Sequence, residues 1–158
     1  MMIIANATPL IYLHRIGQLE LLHQLFTQMT IPAEVARELQ VGQHGEPTIP
    51  DLPWIKVTPV QNRSIVDVLA QDLDHGEAEV LALALEHAAD QVIIDDALAR
   101  TAATLLHISC IGTLGILITC KTRGLITTVK EPLDAMMAAG LWIAPALYAQ
   151  ALCKIGES

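Results

Sequence analysis

Apolar residues in this chain fall in short runs, and each run is bounded by residues that start or stop a helix. Met2–Ala5 is apolar throughout and leads into Asn6-Ala7-Thr8-Pro9. That is the pattern of a buried strand feeding a helix, with Asn6 or Thr8 as cap and Pro9 in the first turn. The helix carries Leu10, Ile11, Leu13 and Ile16 and stops near Gly17. A second helix is expected over about Leu19–Phe26, a second strand over Met29–Ile31, and a helix opened by Pro32 and reaching Leu39. From Val41 to Pro59 the composition changes. Gly42, Gly45, Pro47, Pro50, Pro53 and Pro59 predict an irregular loop holding a short strand at Trp54–Val57. Helices are expected over Ser64–Leu69 and Gly76–Ala88, then a β-branched strand over Gln91–Ile94 ended by Asp95-Asp96. A helix over Ala97–Leu106, a strand over Ile108–Ile111 and a helix from Gly112-Thr113 to about Arg123 follow. The tail, Val129–Ile155, reads as two more helices broken around Gly140–Pro145.

Strands that alternate with helices predict a parallel sheet covered on both faces, with right-handed crossovers. Ligands of such sheets bind at the carboxyl ends of the strands. Asn6, Asp95, Asp96 and Thr113 each follow directly after a predicted strand, so they should share one edge of the sheet although they are far apart in sequence.

Composition narrows the class. A length of 158 residues suits a single domain over 1–158 with a sizeable core. Hydrophobic residues make up 53% and aromatics only 3%, so the core must be aliphatic. With a mean hydropathy of +0.46, that surplus also suggests a buried interface between two copies, a homodimer. The net charge of −8 argues against a passive nucleic-acid binder working through a basic face. It does not exclude an enzyme acting on nucleic acid, because divalent cations offset local negative charge. Cys110, Cys120 and Cys153 match no zinc spacing and are expected to be reduced, mostly buried thiols in a cytoplasmic protein. The start of the chain lacks the features of a signal peptide. The longest uncharged apolar stretch, Ile108–Cys120, is too short to span a bilayer, so no membrane association is expected.

The candidate chemistry lies in acids and amides at strand ends and helix starts. Asn6 is either a helix cap or a metal-facing amide. Glu34 and Glu38 share a face of one helix, and Glu38 lies beside the buried stripe of Val35 and Leu39; Glu34 has Arg37 as an i+3 partner. Glu77 begins an apolar stripe through Leu81, Ala84 and Ala88, whereas Glu79 is expected to look outward with Glu86. Asp95-Asp96 follows a buried run; one acid can cap the next helix, which leaves the other without a structural duty. Carboxylates gathered from distant segments repel one another and need a cation between them. The histidines His14, His23, His44, His87 and His107 form no cluster by spacing and are expected at the surface or at edges, while His75 precedes Gly76-Glu77. Arg100 could meet a phosphate or an acid, and Thr113 could hold a water or phosphate oxygen. No phosphate-binding glycine loop and no Ser-His-Asp pattern is present.

Four segments together carry a resemblance: Ile3-Ile4-Ala5-Asn6-Ala7-Thr8-Pro9-Leu10-Ile11, Ile31-Pro32-Ala33-Glu34-Val35-Ala36-Arg37-Glu38-Leu39, His75-Gly76-Glu77-Ala78-Glu79, and Ile94-Asp95-Asp96-Ala97-Leu98-Ala99-Arg100. In this order the chain resembles a PIN domain, more narrowly an uncharacterised subgroup near the VapC-type toxins. Gly112-Thr113-Leu114-Gly115 and Lys121-Thr122-Arg123-Gly124-Leu125-Ile126 also fit that subgroup. The resemblance implies a three-layer α/β/α sandwich around a central parallel sheet, and a ribonuclease using Mg²⁺ or Mn²⁺. It puts the family's four acidic positions on Asn6, Glu38, Glu77 and Asp96 as catalytic residues. With Asp95 as an extra neighbour, Glu38, Glu77, Asp95 and Asp96 offer the metal carboxylates; the family's small hydroxyl falls on Thr8, which joins Thr113 and Arg100 as the expected substrate contacts. Asn6 departs from the pattern, since active members usually carry Asp there.

Two functions of different class follow. One is a metal-dependent ribonuclease with an RNA substrate, which could serve as the toxin of a pair and bind an antitoxin protein. The other is a PIN-shaped module that binds or regulates without cleaving. A phospho-acceptor domain fits less well, because its acid pair would follow the first strand and a Lys would follow a late one.

Overall fold

Ile3, Ile4 and Ala5 form the middle of the sheet because no polar side chain interrupts them and all three are buried. The computed structural model describes residues 1–41, 49 and 51–158. Its strands are β1 (Ile3–Ala5), β2 (Met29–Ile31), β3 (Ile55–Val57), β4 (Gln91–Ile93) and β5 (Cys110–Ile111), all parallel, in the spatial order β3-β2-β1-β4-β5. Ile4 registers with Thr30 on one side and Val92 on the other. The helices among the described residues are α1 (Ala7–Arg15), α2 (Glu20–Phe26), α3 (Ala33–Val41), α4 (Arg63–Leu69), α5 (His75–His87), α6 (Ala97–Leu105), α7 (Thr113–Thr122), α8 (Lys130–Ala138) and α9 (Pro145–Lys154). This is the expected three-layer α/β/α sandwich. None of these helices is long and apolar enough to cross a membrane.

The strand order reverses at β1. The chain runs outward through β2 and β3, then returns over the sheet through α4 and α5 to add β4 on the other side of β1. Ligand sites of open parallel sheets lie beyond the carboxyl ends at such a reversal. The Asn6 N–H donates to the Ile93 carbonyl at 3.0 Å and ties the two strand ends together.

Helix α5 packs on β1 and β4 and is also covered by α3, α4 and α6. Gly76 through Ala84 are all buried, with no exposed face in that stretch. This overturns the outward placement expected for Glu79. Its residue is only 5% exposed, because the helix flank that carries it meets α3 and α4 rather than water.

Several boundaries differ from the sequence reading. Helix α5 begins at His75, one residue before the expected Gly76, with Asp74 as its cap. Strand β5 is only two residues long, so Ile108 lies outside it, and β4 ends at Ile93. All three cysteines are free, but only Cys120 is buried; Cys153 is exposed. Burial pushes the Cys110 and Cys120 thiols up, which keeps them protonated. In the expected loop from Val41 to Pro59, β3 is the short strand, one residue shorter than expected. The readings for Gly42, His44, Gly45, Pro47 and Pro50 lie outside the described residues.

Candidate active site

The carboxyl end of β1 delivers Asn6 as the N-cap position of α1, yet its side chain makes no capping bond. The residue is 5% exposed, and its amide forms no hydrogen bond among the described residues. No buried side-chain nitrogen or oxygen among the described residues lacks a partner, so the Asn6 amide keeps its contact with solvent at the mouth of this corner.

What lies beside Asn6 is the start of α5. A Cβ on Gly76 would stand 2.5 Å from Glu38 Oε1, 3.3 Å from Asn6 Oδ1 and 3.5 Å from Asp74 Oδ1. Oxygens from β1, α3 and the α5 cap thus surround one bare Cα. Only a glycine leaves room for Glu38 to reach so far in. Glu77, the next residue, closes a capping box: its N–H donates to Asp74 Oδ1 at 2.8 Å, and the Asp74 N–H points back to the Glu77 carboxylate.

The electrostatics record the crowding. Burial, with Asp74 and then Asp96 nearby, pushes the Glu77 carboxyl up to about 7. Burial also raises Glu38, helped by the charges of Asp74 and Glu34. Neither acid has a salt-bridge partner among the described residues. Cations do stand close by, but they are taken: Arg37 pairs with Glu34 and Arg63 with Glu79.

Asp96 follows β4 and caps α6, with Oδ2 accepting the Ala99 N–H at 3.0 Å. Asp95 turns the other way. Its two oxygens accept the Thr113 N–H at 2.7 Å and the Thr113 hydroxyl at 2.6 Å. The sequence reading left one of this pair without a structural duty; both have one. Thr113 is buried behind Asp95, and Arg100 reaches the Ile94 carbonyl at 3.1 Å. Thr8 stands half-buried in the first turn of α1, two residues from Asn6.

The structure therefore brings Asn6, Glu38, Glu77 and Asp96 to one corner of the sheet, with Asp95, Thr113 and Arg100 as an adjoining cluster behind β4 and β5. It adds Asp74, which sequence reasoning missed. The signal for Asp74 was present: an Asp three residues before a Glu, ahead of an apolar run, is a capping-box pattern.

A family model described as a PIN domain matches residues 2–157. The chain belongs to the PIN-domain family. No curated protein matches it. PIN domains are nuclease-type folds that generally use divalent metals. The donors in this PIN domain are carboxylate and amide oxygens, which suit hard cations such as Mg²⁺ and Mn²⁺, and neither His nor Cys joins them. The raised carboxyls of Glu38 and Glu77 are what an added positive charge would lower. Among the described residues no three His, Cys, Asp or Glu side chains are already drawn together tightly enough to grip an ion. The donor chemistry of this corner, carboxylate and amide oxygens, fits a divalent cation.

Proposed function

We propose that this PIN domain is a metal-dependent ribonuclease. The observation that carries the reading is the convergence of Glu38, Asn6 and Asp74 oxygens on Gly76, beside a Glu77 carboxyl raised to about 7 by burial and by neighbouring acids. Glu38, Glu77 and Asp96 would hold Mg²⁺ or Mn²⁺, with Asp95 braced behind them by Thr113. When bound, such a cation polarises the phosphodiester and makes a water more acidic. The chain's own residues do the rest. Without a cation the Glu77 carboxyl keeps a proton up to about 7, and binding a cation there would displace that proton. The Asn6 amide orients what lies between it and Glu38. Arg100, exposed one turn beyond Asp96, is available to a phosphate of the RNA, and Thr8 lines the entry to the first turn of α1. The net charge of −8 makes unassisted attraction of RNA weak, so the cation also supports substrate binding.

The test is cleavage of single-stranded RNA with Mn²⁺ or with EDTA, in the wild type and in Asp96→Asn. Cleavage should need the metal and fall at least about tenfold in the variant, since ligands of this kind are seldom spared. Unchanged cleavage in Asp96→Asn, or metal-free cleavage, defeats the proposal. The toxin of a toxin–antitoxin pair, acting in the cytoplasm as a homodimer and restrained by an antitoxin, is the biological setting we favour. A neighbouring short antitoxin gene would support it.

One observation favours a second reading. Asn6 brings an amide where a fourth acid would tighten the grip on a cation. A catalytically degenerate module that binds RNA without cutting it predicts retained RNA binding, no Mn²⁺-dependent cleavage, and no gain of cleavage in Asn6→Asp.

A further inference from the structure

Glu79 is a charged residue in the interior that the proposed reaction does not use. The residue is 5% exposed, and both carboxylate oxygens accept hydrogen bonds. Oε1 accepts the backbone N–H of Glu34 at 3.1 Å, in the first turn of α3. Oε2 accepts from Arg63 Nη1 at 3.1 Å, at the start of α4. One side chain on α5 therefore fastens the beginnings of two other helices. Glu38 lies one turn along α3 from Glu34, and Glu77 lies two residues before Glu79. The bond from Glu34 to Glu79 sets how far α3 slides along α5, and so where Glu38 meets Gly76.

We infer that Glu79 is a positioning residue for the metal-holding corner: its bond to the α3 backbone holds Glu38 within reach of Asn6, Asp74 and Glu77. The argument is geometric. A helix start has N–H groups with no partner inside the helix, and a carboxylate is the strongest acceptor they can have. Glu34 uses its own carboxylate on Arg37, with Arg37 Nε donating at 3.1 Å, so it does not compete for that site. Arg63 sits at the mouth of the interaction, about half exposed, and keeps the buried charge compensated. The inference rests on the nuclease reading for what Glu38 does, but not for how Glu38 is held.

Two measurements on the full chain test it. Calorimetric titration with Mn²⁺ reads the metal site, and amide exchange reads α3 and β1 separately. Glu79→Leu keeps the bulk and removes both acceptors, whereas Glu79→Gln keeps an acceptor for the Glu34 N–H. In Glu79→Leu, Mn²⁺ affinity should fall by about tenfold or more, the range found when a group supporting metal ligands is lost. Exchange should rise across α3 while Ile3–Ala5 stay protected. Glu79→Gln should restore both. Should Glu79→Leu fail to fold, Glu79→Asp, one methylene shorter and still charged, replaces it with the same expected direction. Unchanged Mn²⁺ affinity in the variant that folds overturns the inference. So does exchange that rises equally in β1, which would make Glu79 a general stabiliser. A wild type that binds no Mn²⁺ would overturn the nuclease reading instead, and the exchange of α3 against β1 would still judge Glu79.

Discussion

The raised carboxyl of Glu77 makes folding stability depend on pH in a direction opposite to that of an ordinary acid. Its value rises from 4.5 to about 7 because the folded chain buries it near Asp74 and Asp96. Between those two values the folded chain keeps a proton that the unfolded chain has released. The native state binds more protons, so stability falls as pH rises through that window and is least above it. At about 1.4 kcal/mol per pH unit, the rise corresponds to roughly 3 kcal/mol as an upper bound. Asp74 and Asp96 are exposed, and solvent screens their part. About 1–2 kcal/mol is the expected effect after that discount. The perturbation is Glu77→Gln, which removes the charge and keeps the capping box, since Gln serves at that position as Glu does. Urea denaturation in EDTA, followed by circular dichroism from pH 4 to pH 8, reads the difference. The variant and the wild type should be equally stable near pH 4, and the variant should gain about 1–2 kcal/mol over the wild type by pH 8. A gap that stays constant across that range would mean that Glu77 ionises normally, and the crowding inferred for this corner would be wrong.

Two further outcomes are expected. Glu157 accepts from Lys121 Nζ at 2.8 Å and from the N–H groups of Val129 and Lys130, which hold its carboxyl down at about 2. Its stabilising effect is present above about 4.5 and is lost as pH falls toward about 2. Glu157→Gln should therefore melt lower than the wild type at pH 7, with the two melting temperatures converging at the acid end. In Gly76→Ala, the new methyl would stand 2.5 Å from Glu38 Oε1, the far end of a flexible side chain. The fold should survive within about 1 kcal/mol, because Ala is the better helix former. Calorimetry should show weakened Mn²⁺ binding, and equal binding would mean that Glu38 does not need the space above Gly76.

The parts of this fold set by local chemistry were legible in the sequence. Pro9 and Pro32 mark helix starts, the run Val92-Ile93-Ile94 marks a buried strand, and the shared strand edge brings Asn6 and Asp96 together as expected. Residues whose roles depend on a third element were not legible. Stepping by three and four from Glu77 finds one apolar stripe, but α5 is covered on several sides, so the flank bearing Glu79 is interior too. Nothing within α5 says that the N–H of Glu34 and the guanidinium of Arg63 will arrive there. The same holds for Asp95, whose partner Thr113 is 18 residues away and across β5.

The return of the chain to the far side of β1 has a bearing on synthesis. Asn6 and Glu38 leave the ribosome early, but Asp96 lies past the midpoint of the 158 residues and takes its place only when β4 docks against β1. A nascent chain halted before that point has an open edge on β1 and lacks Asp96. The corner is completed only after β4 has emerged, so a fragment that ends before it lacks Asp96 and the strand that positions it.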